Sequence, residues 1–264
     1  MKIAFVDIDG TILDYTRGLN KPTDETIRMF KLFREQGNKL IIATSRSKLP
    51  EGLDKDMFDG FIFSNGQYIE YENEILLNNC FSKTQIRYQQ SVYEKYNAGS
   101  YFQGIKGQWI SPFKKELAIE HMVHFGLDRE KADEVFLPFD INEVESTAAT
   151  AAFENVEDMW HAKAELPIDW IIHAYDEESI RMDVHLPGIT KGSSCIFLAD
   201  HVGCDHDDAY AFGDGLNDIE MLELVGHGVA MGNSNEEVKK SADYVTKSIE
   251  ENGLAFAFKE IFKL

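Results

Sequence analysis

Val6-Asp7-Ile8-Asp9-Gly10-Thr11 follows directly on the apolar run Ile3-Ala4-Phe5. It sets two carboxylates where a buried strand runs out into a loop. Side chains alternate along a strand, so Asp7 and Asp9 are expected to leave on the same face. Like charges that close repel unless a cation or a proton sits with them. Gly10 lets the backbone turn sharply and approach a ligand. The arrangement suits a carboxylate nucleophile, an acid/base partner and a hard divalent metal. Taken alone, the six residues also read as an acidic turn after an edge strand.

Working outward, Lys2 to Val6 is a buried strand, and Thr23 caps a helix that runs to about Gln36 with Gly37 at its end. Further strands cover Lys39–Ala43 and Phe61–Phe63, and Glu72-Asn73 makes a hairpin turn. Strand and helix alternate, as in a parallel sheet with crossover helices. Near Phe81 the texture changes. Helices are expected at 83–96, 113–125, 129–135 and 155–165, with strand-like runs at 101–110, 146–153, 168–173 and 179–185. Pro187-Gly188 reads as a hinge, after which the alternation resumes to the end of the chain. The expectation is an α/β core, residues 1–81 and 187–264, split by an inserted α+β domain at 82–186. That insert has an ordinary domain size.

The 264 residues, 44% hydrophobic, supply a well-filled core and argue against disorder. The net charge of −20 repels nucleic acid and anionic membranes, and its main effect is solubility. A phosphate ligand would need local positive potential. Cys80, Cys195 and Cys204 form no regular pattern, and no export signal or membrane-spanning run is evident, so a cytoplasmic location is expected. His201, Cys204 and His206 lack the fourth ligand and spacing of a zinc site.

Four polar clusters stand where apolar strands end or helices begin: Asp7/Asp9, Thr44/Ser45, Lys191 and Asp214/Asn217/Asp218. In an open parallel sheet the ligand crevice lies at the carboxyl ends of the strands, so one crevice can collect all four. Asp7, Asp9 and Asp214 suit Mg²⁺, with Asp9 offering its backbone carbonyl and keeping its side chain free. Lys191 in a first helical turn opposes the helix dipole, which points to another task. With the helix N-terminus it would bind a phosphate, and Thr44 and the Ser45 N–H would hold other phosphate oxygens. Gly213–Asp218 alone also reads as a solvated turn, and Thr44 as a simple cap.

As a set, these residues resemble the haloacid dehalogenase (HAD) superfamily, and within it the Cof-type phosphatases with a C2 cap (subfamily IIB). Asp7-Ile8-Asp9-Gly10-Thr11 resembles the first motif and Ala43-Thr44-Ser45-Arg46 the second. Lys191 after Gly188-Ile189-Thr190 resembles the third, and Gly213-Asp214-Gly215-Leu216-Asn217-Asp218 the fourth. Met231-Gly232-Asn233 and Ala242-Asp243-Tyr244-Val245-Thr246 fit the Cof-type tail. Ser45 replaces a frequent glycine, and Asp183 stands where this subfamily often has Glu.

The resemblance implies a Rossmann-like core with a cap that excludes water and selects substrate. It also implies Mg²⁺-dependent hydrolysis of a small phosphate monoester, a sugar phosphate or phosphorylated cofactor, through an aspartyl-phosphate. Asp7 is the implied nucleophile and Asp9 the acid/base. Gly10, Thr44, Ser45, Lys191 and Asn217 bind the phosphate, and Asp7, Asp9 and Asp214 hold the metal. Asp218 holds Lys191 or a metal-bound water. Trp109, His121, His173 and Arg181 are cap candidates for touching the leaving group, though each also suits packing or surface charge. A phosphomutase and a non-catalytic phosphometabolite-binding protein are the alternatives. A monomer or small homo-oligomer is expected, with no nucleic-acid or membrane partner.

Overall fold

The computed structural model describes residues 1–124, 127–174 and 180–264. Its strands are β1 (Ile3–Val6), β2 (Lys39–Ala43), β3 (Gly60–Phe63), β4 (Tyr68–Tyr71), β5 (Glu74–Asn78), β6 (Gly99–Gly104), β7 (Gly107–Ile110), β8 (Phe136–Leu137), β9 (Ala148–Ala152), β10 (Ile171–His173), β11 (Arg181–His185), β12 (Ala209–Gly213), β13 (His227–Ala230) and β14 (Tyr244–Val245). Its helices are α1 (Asp24–Glu35), α2 (Lys83–Lys95), α3 (Lys115–His124), α4 (Ala132–Val135), α5 (Val156–Glu165), α6 (Lys191–His201), α7 (Ile219–Leu224), α8 (Glu236–Lys240) and α9 (Gly253–Phe262). The chain divides into two units, Met1–Leu77 with Ile189–Leu264, and Asn78–Gly188.

The first unit is a sheet in the order β14-β13-β12-β1-β2-β3-β4-β5. The strands from β14 to β3 run parallel, and β4 returns antiparallel to β3. All four residues of β1 are buried, as a central parallel strand covered on both faces requires. Ile3 and Phe5 pack with Cys195 and Leu198 of α6 and with Met221 and Leu222 of α7. Another aromatic layer joins Phe30 and Phe33 of α1 to Phe258 of α9, whose ring also meets Phe212 of β12 at 4.8 Å. Each such buried ring contributes about 1.5–3 kcal/mol, so the strand ends rest on a stiff support.

The strand order reverses at β1. The chain moves through β2 and β3 on one side and through β12 and β13 on the other. This is the topological switch point where open α/β sheets take their ligands. The register pairs Val6 with Phe212, so the next residues, Asp7 and Gly213, emerge side by side.

The second unit carries its own sheet, β10-β11-β9-β6-β7-β8, antiparallel except where β8 joins β7. Phe102, Trp109, Ala149, Met182 and Val184 build its main core with α2 and α5 residues. The α/β core with an α+β insert expected from sequence is thus the observed fold class. One local expectation changes. The helix expected over 129–135 is a short turn followed by four helical residues, and Phe136-Leu137 is a strand. Leu137 precedes Pro138, which disfavours helical backbone at that position. The observed division falls at 77/78 and 188/189 against 81/82 and 186/187. Phe81 accounts for the first difference, because its N–H donates to Ser146 O and its ring meets Trp170 within the second unit. Residue 125, the end of the expected 113–125 helix, and residue 179, the start of the 179–185 run, lie outside the described residues.

Candidate active site

Asp7 is the first residue beyond β1, and its N–H donates to Phe212 O, which carries the β1–β12 ladder one step further. Its carboxylate is buried and accepts from Lys191 Nζ at 2.6 Å. Lys191 opens α6, where Thr190 caps the helix with Ser193. The ammonium also donates to Asp218, so one lysine bridges two carboxylates. The other Asp218 oxygen accepts the N–H groups of Asp214 and Gly215, both at 2.9 Å. Asp218, fully buried, therefore shapes the turn after β12 and anchors Lys191 at once. Gly213 is required beneath it, since a Cβ there would lie 2.6 Å from its carboxyl carbon.

Asp214 receives the Thr11 hydroxyl at 3.0 Å. Gly10, with φ of +83°, lies so close that a Cβ would come within 2.0 Å of Asp214 Oδ2. The glycine thus answers a backbone need and a steric one. Gly10→Ala is expected to push Asp214 aside, so a divalent cation offered to the cluster should bind about 10–100-fold more weakly, as loss of ligand support does elsewhere. Calorimetric titration with Mg²⁺ checks this, and an unchanged affinity would contradict it.

Asp7, Asp214 and Asp218 can bring one oxygen each within 4.8 Å of one another. Three carboxylates thus face one ammonium. Burial pushes the Asp7 carboxyl well above the usual carboxylate range, and Asp218 adds to this against the opposing pull of Lys191. Burial, then Asp218, pushes Asp214 up to about 7. Burial alone would lower Lys191, but Asp218 and Asp7 outweigh it and hold the ammonium above its ordinary value. These shifts are those of a hard-oxygen cluster short of positive charge, so the residues fit a divalent cation. Asp218 gives one oxygen to the Lys191 ammonium and the other to two backbone N–H groups, whereas the Asp214 oxygens take neutral donors, Thr11 at 3.0 Å and Asn233 at 3.4 Å, which leaves Asp7 and Asp214 as the better-placed side-chain ligands.

The Asp9 carboxylate is not part of the buried Asp7–Lys191–Asp218 bridge. β1 ends at Val6, and strand alternation no longer governs the loop beyond it. The Asp9 carboxylate turns to Arg46, whose Nε and Nη2 each donate at 2.7 Å.

Thr44 is buried at the end of β2, and its hydroxyl accepts from Arg46 N at 3.2 Å. Ser45 is exposed beside it. The loop is tied to the end of β3 by Asn65 N to Thr44 O and Ser64 N to Arg46 O. Asn217 donates to Asn65 Oδ1 at 3.2 Å. Asn65 (φ 52°) was not among the sequence candidates, although Ser64-Asn65-Gly66 at a strand end was its signal. Asn233 was also missed. It donates to Gly10 O at 2.9 Å and accepts from Ile249 N at 2.9 Å, which pins the loop carrying the first acids. In the second unit, Trp109 is buried in the core, His121 is half-buried, His173 packs edge-on to His185, and Arg181 pairs with Asp183.

Comparison with known proteins identifies the family. A family model for haloacid dehalogenase-like hydrolases matches residues 4–258. YkrA of Bacillus subtilis (strain 168) is 30% identical over 272 residues, covering 98% of this chain and 97% of that protein. The 5-amino-6-(5-phospho-D-ribitylamino)uracil phosphatase YcsE of the same organism is 27% identical, covering 98% and 95%. The solved structure of a HAD subclass IIB sugar phosphatase, 26% identical, superposes with a TM-score of 0.82 over the whole of both chains. Among the described residues no helix is long and apolar enough to cross a membrane. The chain belongs to the haloacid dehalogenase-like hydrolases and is an enzyme of their phosphatase branch.

Proposed function

We propose that the protein hydrolyses a small phosphate monoester, a sugar phosphate or phosphorylated cofactor, through an aspartyl-phosphate on Asp7. The observation that carries this reading is the buried Asp7–Lys191–Asp218 bridge beside Asp214 at the switch point. A lysine so placed neutralises phosphoryl oxygens where charge develops. Asp7 attacks phosphorus, and a covalent carboxylate intermediate divides a difficult step in two. Asp9 protonates the departing alcohol and then takes a proton from the attacking water. Thr44, Asn217 and the backbone around Gly10 and Ser45 orient the remaining oxygens. Residues 78–188 are assigned to substrate selection.

Asp7, Asp214 and the Asp9 carbonyl would hold Mg²⁺, which when bound supplies positive charge to the transferring group. The related proteins support the substrate class, since one is named a sugar phosphatase and another acts on a phosphorylated ribitylamino compound. Phosphate release from a panel of sugar phosphates, with Mg²⁺ and with chelator, tests the reading. Release that needs Mg²⁺ is expected, and silence across the panel would contradict it.

A pH dependence follows from Asp214. Without a cation its carboxyl is pushed up to about 7, so the folded protein binds a proton that the unfolded chain gives up at lower pH. Stability of the metal-free protein should therefore fall as pH rises from about 4 to about 7, and Mg²⁺ should restore it. Below about pH 7 the cation must displace that proton, and burial holds Asp7 up as well, so its apparent affinity should drop by roughly tenfold per pH unit for each proton displaced. Calorimetry at several pH values in buffers of different ionisation enthalpy measures both quantities. Affinity independent of pH would count against Asp214 as a ligand.

A further inference from the structure

We propose that Arg46 is the positioning residue for Asp9, an inference that rests on the proton-transfer role assigned to Asp9 above. The two 2.7 Å hydrogen bonds come from different guanidinium nitrogens to different carboxylate oxygens. This fork fixes the plane of a carboxylate as well as its place. Arg46 is itself held at several points. Its backbone N–H donates to Thr44 Oγ1, and its carbonyl accepts from Ser64 N. Its guanidinium carbon lies 5.3 Å from the centre of the Tyr15 ring. Tyr15 belongs to a turn that Asp14 fixes by accepting the N–H groups of Thr16 and Arg17. The loops after β1 and β2 are thereby coupled through one ion pair.

Both partners stand partly in water, 34% and 46% exposed, so the pair adds little to stability. Its consequence is geometric. A carboxylate on a loop otherwise samples several rotamers, and a general acid/base works only within hydrogen-bond reach of the reacting oxygen. In the first half-reaction an Asp7 oxygen bonds to phosphorus, the bond from phosphorus to the alcohol oxygen breaks, and the proton on Asp9 passes to that oxygen. In the second, water oxygen bonds to phosphorus, the bond to Asp7 breaks, and a water proton passes to Asp9. Arg46 touches none of the reacting atoms. It sets where the Asp9 proton is given and received, and the second half-reaction needs it whatever the leaving group.

That asymmetry defines the test. p-Nitrophenolate departs without a proton, and an alkoxide does not. On an alkyl phosphate that the wild-type enzyme hydrolyses, Arg46→Met should lower kcat about 10–100-fold and leave KM within about twofold. On p-nitrophenyl phosphate it should release about one equivalent of nitrophenolate in a burst, then turn over slowly, as Asp9→Asn should. Arg46→Lys keeps the charge without the fork and should recover only part of the rate. Melting temperature should stay within about 3 °C of wild type. The inference is overturned by rates within about twofold of wild type on both substrates. It is equally overturned if Arg46→Met shows no burst while Asp9→Asn does. If neither variant shows a burst, the aspartyl-phosphate reading itself fails and the role of Arg46 goes with it.

Discussion

Asp7→Asn should abolish phosphate release, with kcat lower by about 10³–10⁶-fold, while the protein stays folded. The amide keeps the shape of the carboxylate but cannot displace an alcohol from phosphorus. The variant should also unfold no earlier than wild type. Asp7 is one of three clustered carboxylates, two of them buried and paired with Lys191, and its burial already disfavours its charge. Removing that charge relieves repulsion from Asp218 and Asp214, and Lys191 keeps Asp218 as its partner. Loss of function with stability held or gained is the mark of a residue kept for chemistry and not for the fold. Paired thermal melts and phosphate-release assays measure both halves. Retained turnover would remove the proposed nucleophile, and a large drop in stability would make its role structural.

Lys191→Met should damage both. The ammonium is almost fully buried between Asp7 and Asp218. Breaking a buried pair from one side leaves uncompensated charge, which costs about 3–5 kcal/mol. Activity should fall at least about 10²-fold, because no other cation among the described residues bridges Asp7 and Asp218. The double variant Lys191→Met/Asp218→Asn should regain part of the stability and none of the activity. Urea unfolding monitored by circular dichroism supplies the stabilities. If the single variant unfolds at the wild-type midpoint, the bridge does not hold the site together.

Much of this site was legible because its residues break local rules. A lysine in a first helical turn opposes the dipole, and the structure buries Lys191 between two acids that more than offset that penalty. Gly10 and Gly213 stand where any side chain would strike Asp214 or Asp218. The strand ends were readable from apolar runs, and their convergence follows from the sheet order. What sequence could not supply was pairing at long range. Asn233 meets Gly10 across 223 positions, and Asn65 meets Asn217 across 152. Neither asparagine breaks a local rule that would announce its partner. The pairing of Asp9 with Arg46 across 37 positions was hidden for the same reason.

The most direct test is to mix Asp9→Asn with p-nitrophenyl phosphate and Mg²⁺, quench in acid, digest and locate added phosphate by mass spectrometry. Phosphate on the peptide that contains residues 6–11, carried by Asp7, is the expected result. Label on another residue, or nitrophenolate released with Asp7 never labelled, would contradict it.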